Sequence, residues 1–245
     1  MGSDINYHGQ VVVFDLDDTL FRERGFCRSG FRFLCDPEKY TISDITPYPS
    51  SEEFKELVFK MECELENRRN PFLPFEEYLT PRCTSQPFDL QPHIEAYRNH
   101  LPDKLNFAEG AEATLKSLAE RGIRMALITD GRSGTQRRKI EALGITNFIS
   151  PELILISEET GFDKHSKEMF ASIVRHFPEA SGFYYVGDNP LKDFYFPNLL
   201  GWTSVSVPYH PDNVHPEEIP PTPLHSPRFT LNEFPDLLKI LDNKV

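Results

Sequence analysis

Short apolar segments alternate with amphipathic segments along most of this chain. The apolar segments span residues 11–16, 123–129, 153–156, 183–186 and 203–207, and helical spacing occurs over residues 109–121, 134–143, 165–177, 191–200 and 231–241. The first apolar segment, VVVFDL, is short and rich in β-branched residues, which is typical of a strand buried on both faces of a sheet. Strands that alternate with helices predict an α/β fold with a parallel sheet and right-handed crossovers.

A long stretch between the first strand and residue 109 breaks this alternation and contains no convincing buried strand. Ser50 and Glu53 have the spacing of a helix-capping box, and apolar residues follow at helical spacing up to Leu65. Shorter helical patterns occur over residues 74–79 and 92–101. We therefore expect a core domain of residues 1–22 and 106–245, interrupted by an α-helical domain of residues 23–105.

Charge and composition limit the kinds of molecule that the protein is expected to bind. With 26 Lys and Arg against 38 Asp and Glu, the net charge of −12 repels nucleic-acid phosphates and anionic lipid. The sequence starts without an apolar leader and has no run long enough to span a membrane, and its four cysteines lack CxxC or metal-ligand spacing. We expect a cytoplasmic protein with reduced thiols that binds neither nucleic acid nor membrane.

The first strand ends in two carboxylates, Asp15 and Asp17, spaced i and i+2. Ligands of open α/β sheets bind at the carboxyl ends of the strands. Clustered acids at such an edge are costly unless a cation neutralises them, and Mg²⁺ is the simplest hard cation with oxygen ligands. A calcium loop also begins with D-x-D, but Thr19 and Leu20 stand where that loop requires a ligand and a glycine.

A second acidic pair follows a later strand. Asp188 stands at the end of the segment 183–186 and Asp193 stands early in the next predicted helix. The Gly-Asp dipeptide alone is ordinary turn chemistry. If the first and the later strand are neighbours in the parallel sheet, the two acidic pairs share one site.

Two further groups complement these acids. Thr129 ends another strand, and the backbone N–H groups of Asp130 and Gly131 lead into a helix, an arrangement that can hold an anion. Lys164 precedes the helix predicted over residues 165–177 and is a candidate charge clamp, with Lys167 as a competitor inside that helix. The sequence thus indicates a site for a phosphate beside a cation.

The order acid pair, hydroxyl, lysine and acid pair resembles the haloacid dehalogenase superfamily, whose members are mostly phosphatases. DLDDT matches its first motif, DxDx[TV]; Thr129 and Lys164 match the second and third; GDNPLKD matches the fourth, GDxxxxD. The resemblance covers most of residues 10–207 and implies a Rossmann-like parallel-sheet core in three α/β/α layers. It also implies that residues 23–105 form an α-helical cap domain inserted between the first two motifs.

The resemblance implies a Mg²⁺-dependent phosphatase that acts on a small soluble organic phosphate. Asp15 would be the nucleophile that forms an aspartyl-phosphate, and Asp17 would protonate the leaving oxygen and then accept a proton from water. The residues implied to bind the phosphoryl group are Thr129, Asp130, Gly131 and Lys164. True dehalogenases of the superfamily lack the acid at the position of Asp17, because halide leaves without a proton, so this acid favours phosphoryl transfer.

The resemblance also implies the metal site. Asp15, the backbone carbonyl of Asp17, and Asp188 would hold Mg²⁺. Asp193 would support the metal or the motif lysine, and Asn189 would support the ligands from the same loop. Two alternatives stay open: a phosphomutase of the same superfamily with a bisphosphate intermediate, and a noncatalytic phospholigand-binding protein.

Two segments lie outside the motifs and each allows two interpretations. In FRERGFCRSGFRF, we expect most arginines to form the solvated face of a helix with a phenylalanine core, but keep Arg22 and Arg24 as candidate substrate contacts because they adjoin the first motif. The proline-rich stretch 208–227 is expected to be a packed surface connection, with a lip facing the substrate as the alternative.

Overall fold

Residues 9–85, 87–102 and 104–242 are described by a computed structural model of the chain. The chain folds into two compact units. One comprises the residues up to Arg22 together with those from Asn106 onward, here called the sheet unit, and the other comprises Glu23–Leu105, here called the helical insert. The ends of the predicted core domain, residues 1–8 and 243–245, lie outside the described residues.

The described residues of the helical insert form four α-helices: α1 (Glu23–Leu34), α2 (Ser51–Glu66), α3 (Leu73–Leu79) and α4 (Gln91–Asn99). The capping box predicted before α2 is confirmed, because Ser50 Oγ accepts the Glu53 N–H at 3.3 Å and Glu53 Oε2 accepts the Ser50 N–H at 2.8 Å. The phenylalanine core predicted for α1 is confirmed at Phe31, which is buried with apolar residues of α2 and α3. Arginines of α1 pair with acids of α2: the half-buried Arg28 pairs with Glu66, and the exposed Arg32 pairs with Glu62.

Within the described part of the sheet unit, six strands form one parallel sheet in the order β3-β2-β1-β4-β5-β6. They are β1 (Gln10–Phe14), β2 (Arg124–Thr129), β3 (Ile154–Ile156), β4 (Gly182–Gly187), β5 (Thr203–Ser206) and β6 (Phe229–Thr230). The predicted α/β fold with a parallel sheet is therefore confirmed. The two-residue strand β6 was not predicted, because so short a segment has no hydrophobic period and forms only by pairing with β5.

Helices follow the strands of this unit: α5 (Ala111–Glu120), α6 (Ser133–Leu143), α7 (Ser157–Thr160), α8 (Lys167–His176), α9 (Tyr195–Leu199) and α10 (Asp236–Leu241). The predicted helix over residues 191–200 was too long, because residues 189–193 form a turn in which the Asn189 carbonyl accepts the Asp193 N–H. The predicted start at residue 231 was also wrong, since the Leu231 N–H bonds to Ser206 beside the sheet. No helix in the described ranges combines the length and the apolar character needed to cross a bilayer.

Candidate active site

The strand order brings the predicted acidic strand ends together. β1 lies between β2 and β4, and the Asp15 N–H extends the β1–β4 ladder by donating to the Val186 carbonyl at 2.9 Å. Among the described residues, Asp15, Asp188 and Asp193 each offer a carboxylate oxygen within 4.8 Å of the others. Thr19 links two of them, because its hydroxyl contacts Asp15 Oδ2 at 3.1 Å and Asp188 Oδ1 at 3.5 Å.

Lys164 is the cation of this cluster. Its side chain is buried and its Nζ donates to Asp15 Oδ1 and, at 2.7 Å, to Asp193 Oδ1. The loop that presents it is fixed from β2, because the Lys164 N–H donates to Asp130 Oδ1 at 3.1 Å. Lys167, the other lysine considered for the cation beside the acids, is exposed on α8. The structure therefore places Lys164 beside the candidate nucleophile.

Asp193 links this lysine to the loop after β4. The side chain is 0% exposed. Its Oδ1 accepts from Lys164 and from the Tyr185 hydroxyl at 3.2 Å, while its Oδ2 accepts the N–H groups of Asp188 at 3.1 Å and Asn189 at 2.8 Å. With four hydrogen bonds to its two oxygens, the Asp193 carboxylate holds the loop and the lysine in place.

Burial sets the protonation behaviour of the cluster. It raises the pKa of Asp15 to about 7, although Lys164 opposes the shift, and it raises the pKa of Asp188 well above its ordinary value. Burial disfavours the charge on Lys164, but the carboxylates of Asp15 and Asp193 outweigh it and raise the pKa of the ammonium well above its ordinary value. One ammonium facing three carboxylates leaves an excess of negative charge, and clustered hard oxygen donors of this kind fit a Mg²⁺ ion.

Asp17 lies apart from this group. Its Oδ1 accepts from Lys139 Nζ at 2.7 Å and its Oδ2 accepts from Gln136 Nε2 at 2.8 Å. The carboxylates that the structure brings together in the described residues are thus those of Asp15, Asp188 and Asp193, and the side chain of Asp17 is not among them. The metal contact predicted for Asp17 was through its backbone carbonyl, and that contact stays a prediction.

The residues predicted to bind phosphate at the end of β2 have hydrogen-bond partners within the protein. Thr129 is buried at the end of β2, and its Oγ1 accepts from Gln136 Nε2 at 2.6 Å. The Gly131 N–H, which was predicted to hold a phosphoryl oxygen, instead donates to Ser157 Oγ at 2.9 Å. Ser157 begins the short helix α7, which sequence patterning did not predict, so this competing acceptor was not anticipated.

The two arginines predicted as substrate contacts have other surroundings. Arg22 Nη1 donates to the Asp18 carbonyl at 3.2 Å and to Asn213 Oδ1 at 2.9 Å. Arg24 belongs to α1 and is 5% exposed, so the structure offers little of its surface to a ligand. Arg22 thus ties the first motif to the proline-rich stretch, and Arg24 is a buried residue of the helical insert. Substrate contact by either residue stays a prediction.

Around residue 213, the proline-rich stretch packs against the loops that follow β1 and β4. The Val214 N–H donates to Asp18 Oδ2 at 2.8 Å, and Asn213 Nδ2 approaches Asp188 Oδ2 at 3.5 Å. Asn213 is buried, although nothing in the local sequence distinguishes it. Its position beside the fourth motif depends on the path of the loop and was missed.

Gln136 and Lys139 were also missed, although the sequence contained a signal. The buried face of α6 consists of Gln136, Lys139, Ile140 and Leu143, at the spacing i, i+3, i+4 and i+7 of a helix stripe. A glutamine and a lysine on that stripe are polar residues at buried positions, which are rare unless they have partners. The helix had been predicted, so the anomaly was visible before the structure.

Known proteins resemble the chain in both sequence and fold. A model of the haloacid dehalogenase-like hydrolases matches residues 10–194. The ribulose-1,5-bisphosphate 5-phosphatase of Halopiger xanaduensis is 32% identical over 112 residues, which is 45% of this chain and 46% of that protein. The glyceraldehyde 3-phosphate phosphatase of Pyrococcus abyssi is 28% identical over 204 residues, 82% of each chain.

The fold is also shared with a solved structure, that of the HAD-hydrolase YfnB from Bacillus subtilis bound to magnesium. It superposes with a TM-score of 0.59 at 19% identity and covers 95% of this chain and 98% of that one. At this identity the likeness shows the fold alone. Because the match to the Halopiger enzyme spans less than half of that protein, it does not by itself transfer a substrate.

Proposed function

This chain belongs to the haloacid dehalogenase-like hydrolases, and from that premise we propose that it is a Mg²⁺-dependent phosphatase of small organic phosphates. The observation that carries the proposal is the buried Asp15 carboxyl, held by Lys164 at the carboxyl end of β1 and close to Asp188. A carboxylate so placed is a nucleophile next to the charges that a phosphate ester requires.

In the first half of the proposed reaction, an oxygen of Asp15 attacks phosphorus while the bond from phosphorus to the ester oxygen breaks. Asp17 gives a proton to that leaving oxygen, and an aspartyl-phosphate remains on Asp15. In the second half, Asp17 takes a proton from water as the water oxygen attacks phosphorus. Inorganic phosphate then leaves and the Asp15 carboxylate is regenerated.

Charge repulsion is the main obstacle, because an anionic carboxylate must meet an anionic phosphate. Lys164 supplies positive charge through its contact with Asp15, and the Thr129 hydroxyl lies at the end of the neighbouring strand as a donor to phosphoryl oxygens. Asp15 and Asp188, with the backbone carbonyl of Asp17, would hold Mg²⁺. When bound, the ion supplies further positive charge at the phosphoryl oxygens and at the attacking carboxylate.

The substrate class follows from charge and from the relatives. A net charge of −12 disfavours polyanionic macromolecules. The two phosphatases described above are named for small phosphorylated carbon compounds, ribulose-1,5-bisphosphate and glyceraldehyde 3-phosphate. A small soluble phosphate monoester is therefore the proposed substrate, and the phosphoryl group is the part that the described site recognises.

The test is phosphate release from p-nitrophenyl phosphate and from a panel of phosphorylated metabolites, with Mg²⁺ and with EDTA. Activity with Mg²⁺ that EDTA removes is expected. Asp15→Asn should abolish turnover and the phosphoenzyme, whereas Asp89→Asn, at an exposed position of the helical insert, should retain both. Turnover that persists in Asp15→Asn refutes this nucleophile, and an isomer that forms without stoichiometric phosphate indicates a phosphomutase.

A further inference from the structure

Two lysines of the described residues are buried, and the proposed reaction uses only one of them, Lys164. The other is Lys139, whose side chain on α6 is 3% exposed. A buried ammonium is costly unless it has a partner of opposite charge. The partner is the Asp17 carboxylate, 2.7 Å away, which belongs to the same motif as the proposed nucleophile.

α6 holds both oxygens of this carboxylate. Lys139 donates to Asp17 Oδ1, and Gln136, one turn earlier on the same helix, donates to Asp17 Oδ2 at 2.8 Å. The Gln136 amide nitrogen carries two hydrogens, and it also donates to Thr129 Oγ1 at 2.6 Å. The Thr129 hydroxyl accepts in this contact, so its own hydrogen is available to a ligand.

The contacts join residues from two different strand ends. Asp17 follows β1 and Thr129 ends β2, and no covalent link fixes the distance between their side chains. Gln136 bridges the two, and Lys139 restrains the second oxygen of Asp17. The Asp17 side chain nevertheless stays 21% exposed, so a ligand can still reach it.

We propose that Lys139 is a positioning residue that holds the Asp17 carboxyl where it transfers a proton to and from substrate oxygen. Gln136 ties that position to the phosphoryl contact at Thr129. The inference rests on the proposed phosphatase function. It adds that two side chains of α6 hold the proton-transferring Asp17 carboxyl in position. Small displacements of a proton donor are costly in rate, because proton transfer requires hydrogen-bond distance to the leaving oxygen.

The test compares two esters that differ in their need for a proton. p-Nitrophenyl phosphate has a leaving group that departs as an anion, whereas an alkyl monophosphate chosen from the substrate panel needs protonation. Lys139→Met keeps most of the side-chain length and removes the ammonium. The parameter kcat/KM is measured because it reports the steps up to phosphoryl transfer, before water attacks the phosphoenzyme.

Lys139→Met should lower kcat/KM for the alkyl ester by about 10- to 100-fold, part of the ~10²–10⁴-fold that general acid catalysis contributes. The same substitution should change kcat/KM for the nitrophenyl ester by less than about threefold, and inhibition by inorganic phosphate should be similarly unaffected. Lys167→Met, at an exposed lysine of α8, is the matched control and should change neither ester. An equal loss on both esters, or none on either, overturns the inference.

A double-mutant cycle separates positioning from structure. If Lys139 acts through Asp17, Lys139→Met should have no further effect on kcat/KM for the alkyl ester in an Asp17→Asn background, and additive losses on that ester overturn the inference. Thermal unfolding verifies that each variant is folded. If Lys139→Met does not fold, Lys139→Gln takes its place. The loss of kcat/KM on the alkyl ester is then again compared with the loss on the nitrophenyl ester. A wild-type protein without phosphatase activity refutes the proposed function instead.

Discussion

The hydrogen bonds of Asp193 show how much folding free energy is lost when one of its carboxylate oxygens is replaced by a nitrogen. Asp193→Asn keeps the shape of the side chain and replaces one carboxylate oxygen by an NH₂ group. In the wild type, one oxygen faces the donors Lys164 and Tyr185, and the other faces the N–H groups of Asp188 and Asn189. If the NH₂ group of the carboxamide faces Lys164, the contact with the ammonium is lost, although the Tyr185 hydroxyl can turn to accept; if it faces the loop, both backbone N–H contacts are lost.

The loss is large because the site is buried and charged. Removing one partner of a buried ion pair costs about 3–5 kcal/mol, and we expect the lower end because Lys164 keeps Asp15 as a partner. For a chain of this size, about 3 kcal/mol corresponds to a fall in Tm of roughly 6–12 °C. The expected result is therefore a cooperative but clearly earlier unfolding transition.

The assay is thermal unfolding followed by circular dichroism, with urea unfolding as a second measure of the free energy. Glu112→Gln makes the same chemical exchange at an exposed acid that pairs with Lys116 on α5, and it should leave Tm unchanged within error. A fall of less than about 2 °C for Asp193→Asn, well below the value expected for a buried pair, would refute the reasoning.

Three further outcomes follow from the site and the insert. Burial raises the pKa of Asp15 to about 7 from its ordinary 3.8, so without a cation the folded protein keeps a proton that the unfolded chain releases. The contribution of Asp15 to the free energy of unfolding should be fully present below pH 3.8 and lost as the pH rises through 7, so Mg²⁺ should raise Tm, measured by thermal unfolding, more at pH 8 than at pH 5. Gly187→Ala puts a Cβ 2.5 Å from Asp193 Oδ2 and should destabilise the sheet unit by about 1–3 kcal/mol in urea unfolding, whereas Gly182→Ala, whose nearest neighbouring atom is 4.0 Å away, should not. Ser50→Ala removes the cap of α2 and should cost about 1 kcal/mol, measured by urea unfolding, and an unchanged midpoint would show that the cap does not stabilise the fold.

Local sequence patterns were sufficient for most of the secondary structure. The runs that became β1, β2 and β4 are continuous apolar segments, and such segments are stable only when buried on both faces, so their burial and their parallel pairing could be inferred without coordinates. The secondary-structure predictions were wrong where a contact with a distant segment, and not the local sequence pattern, determined the conformation. The Leu231 backbone pairs beside β5 instead of beginning a helix, and β6 exists only because β5 is there.

The sequence by itself determined that acidic, hydroxyl and lysine side chains stand at the ends of the strands and at the turns near them, because the period of a strand and the chemistry of a turn are local properties. Only the tertiary structure decided which side chains meet: Asp193 with Lys164, and Asp17 with Lys139. Such pairings depend on the order of strands in the sheet and on the face that each helix turns inward. Both are set by packing among segments far apart in the chain, where no local pattern specifies the partner.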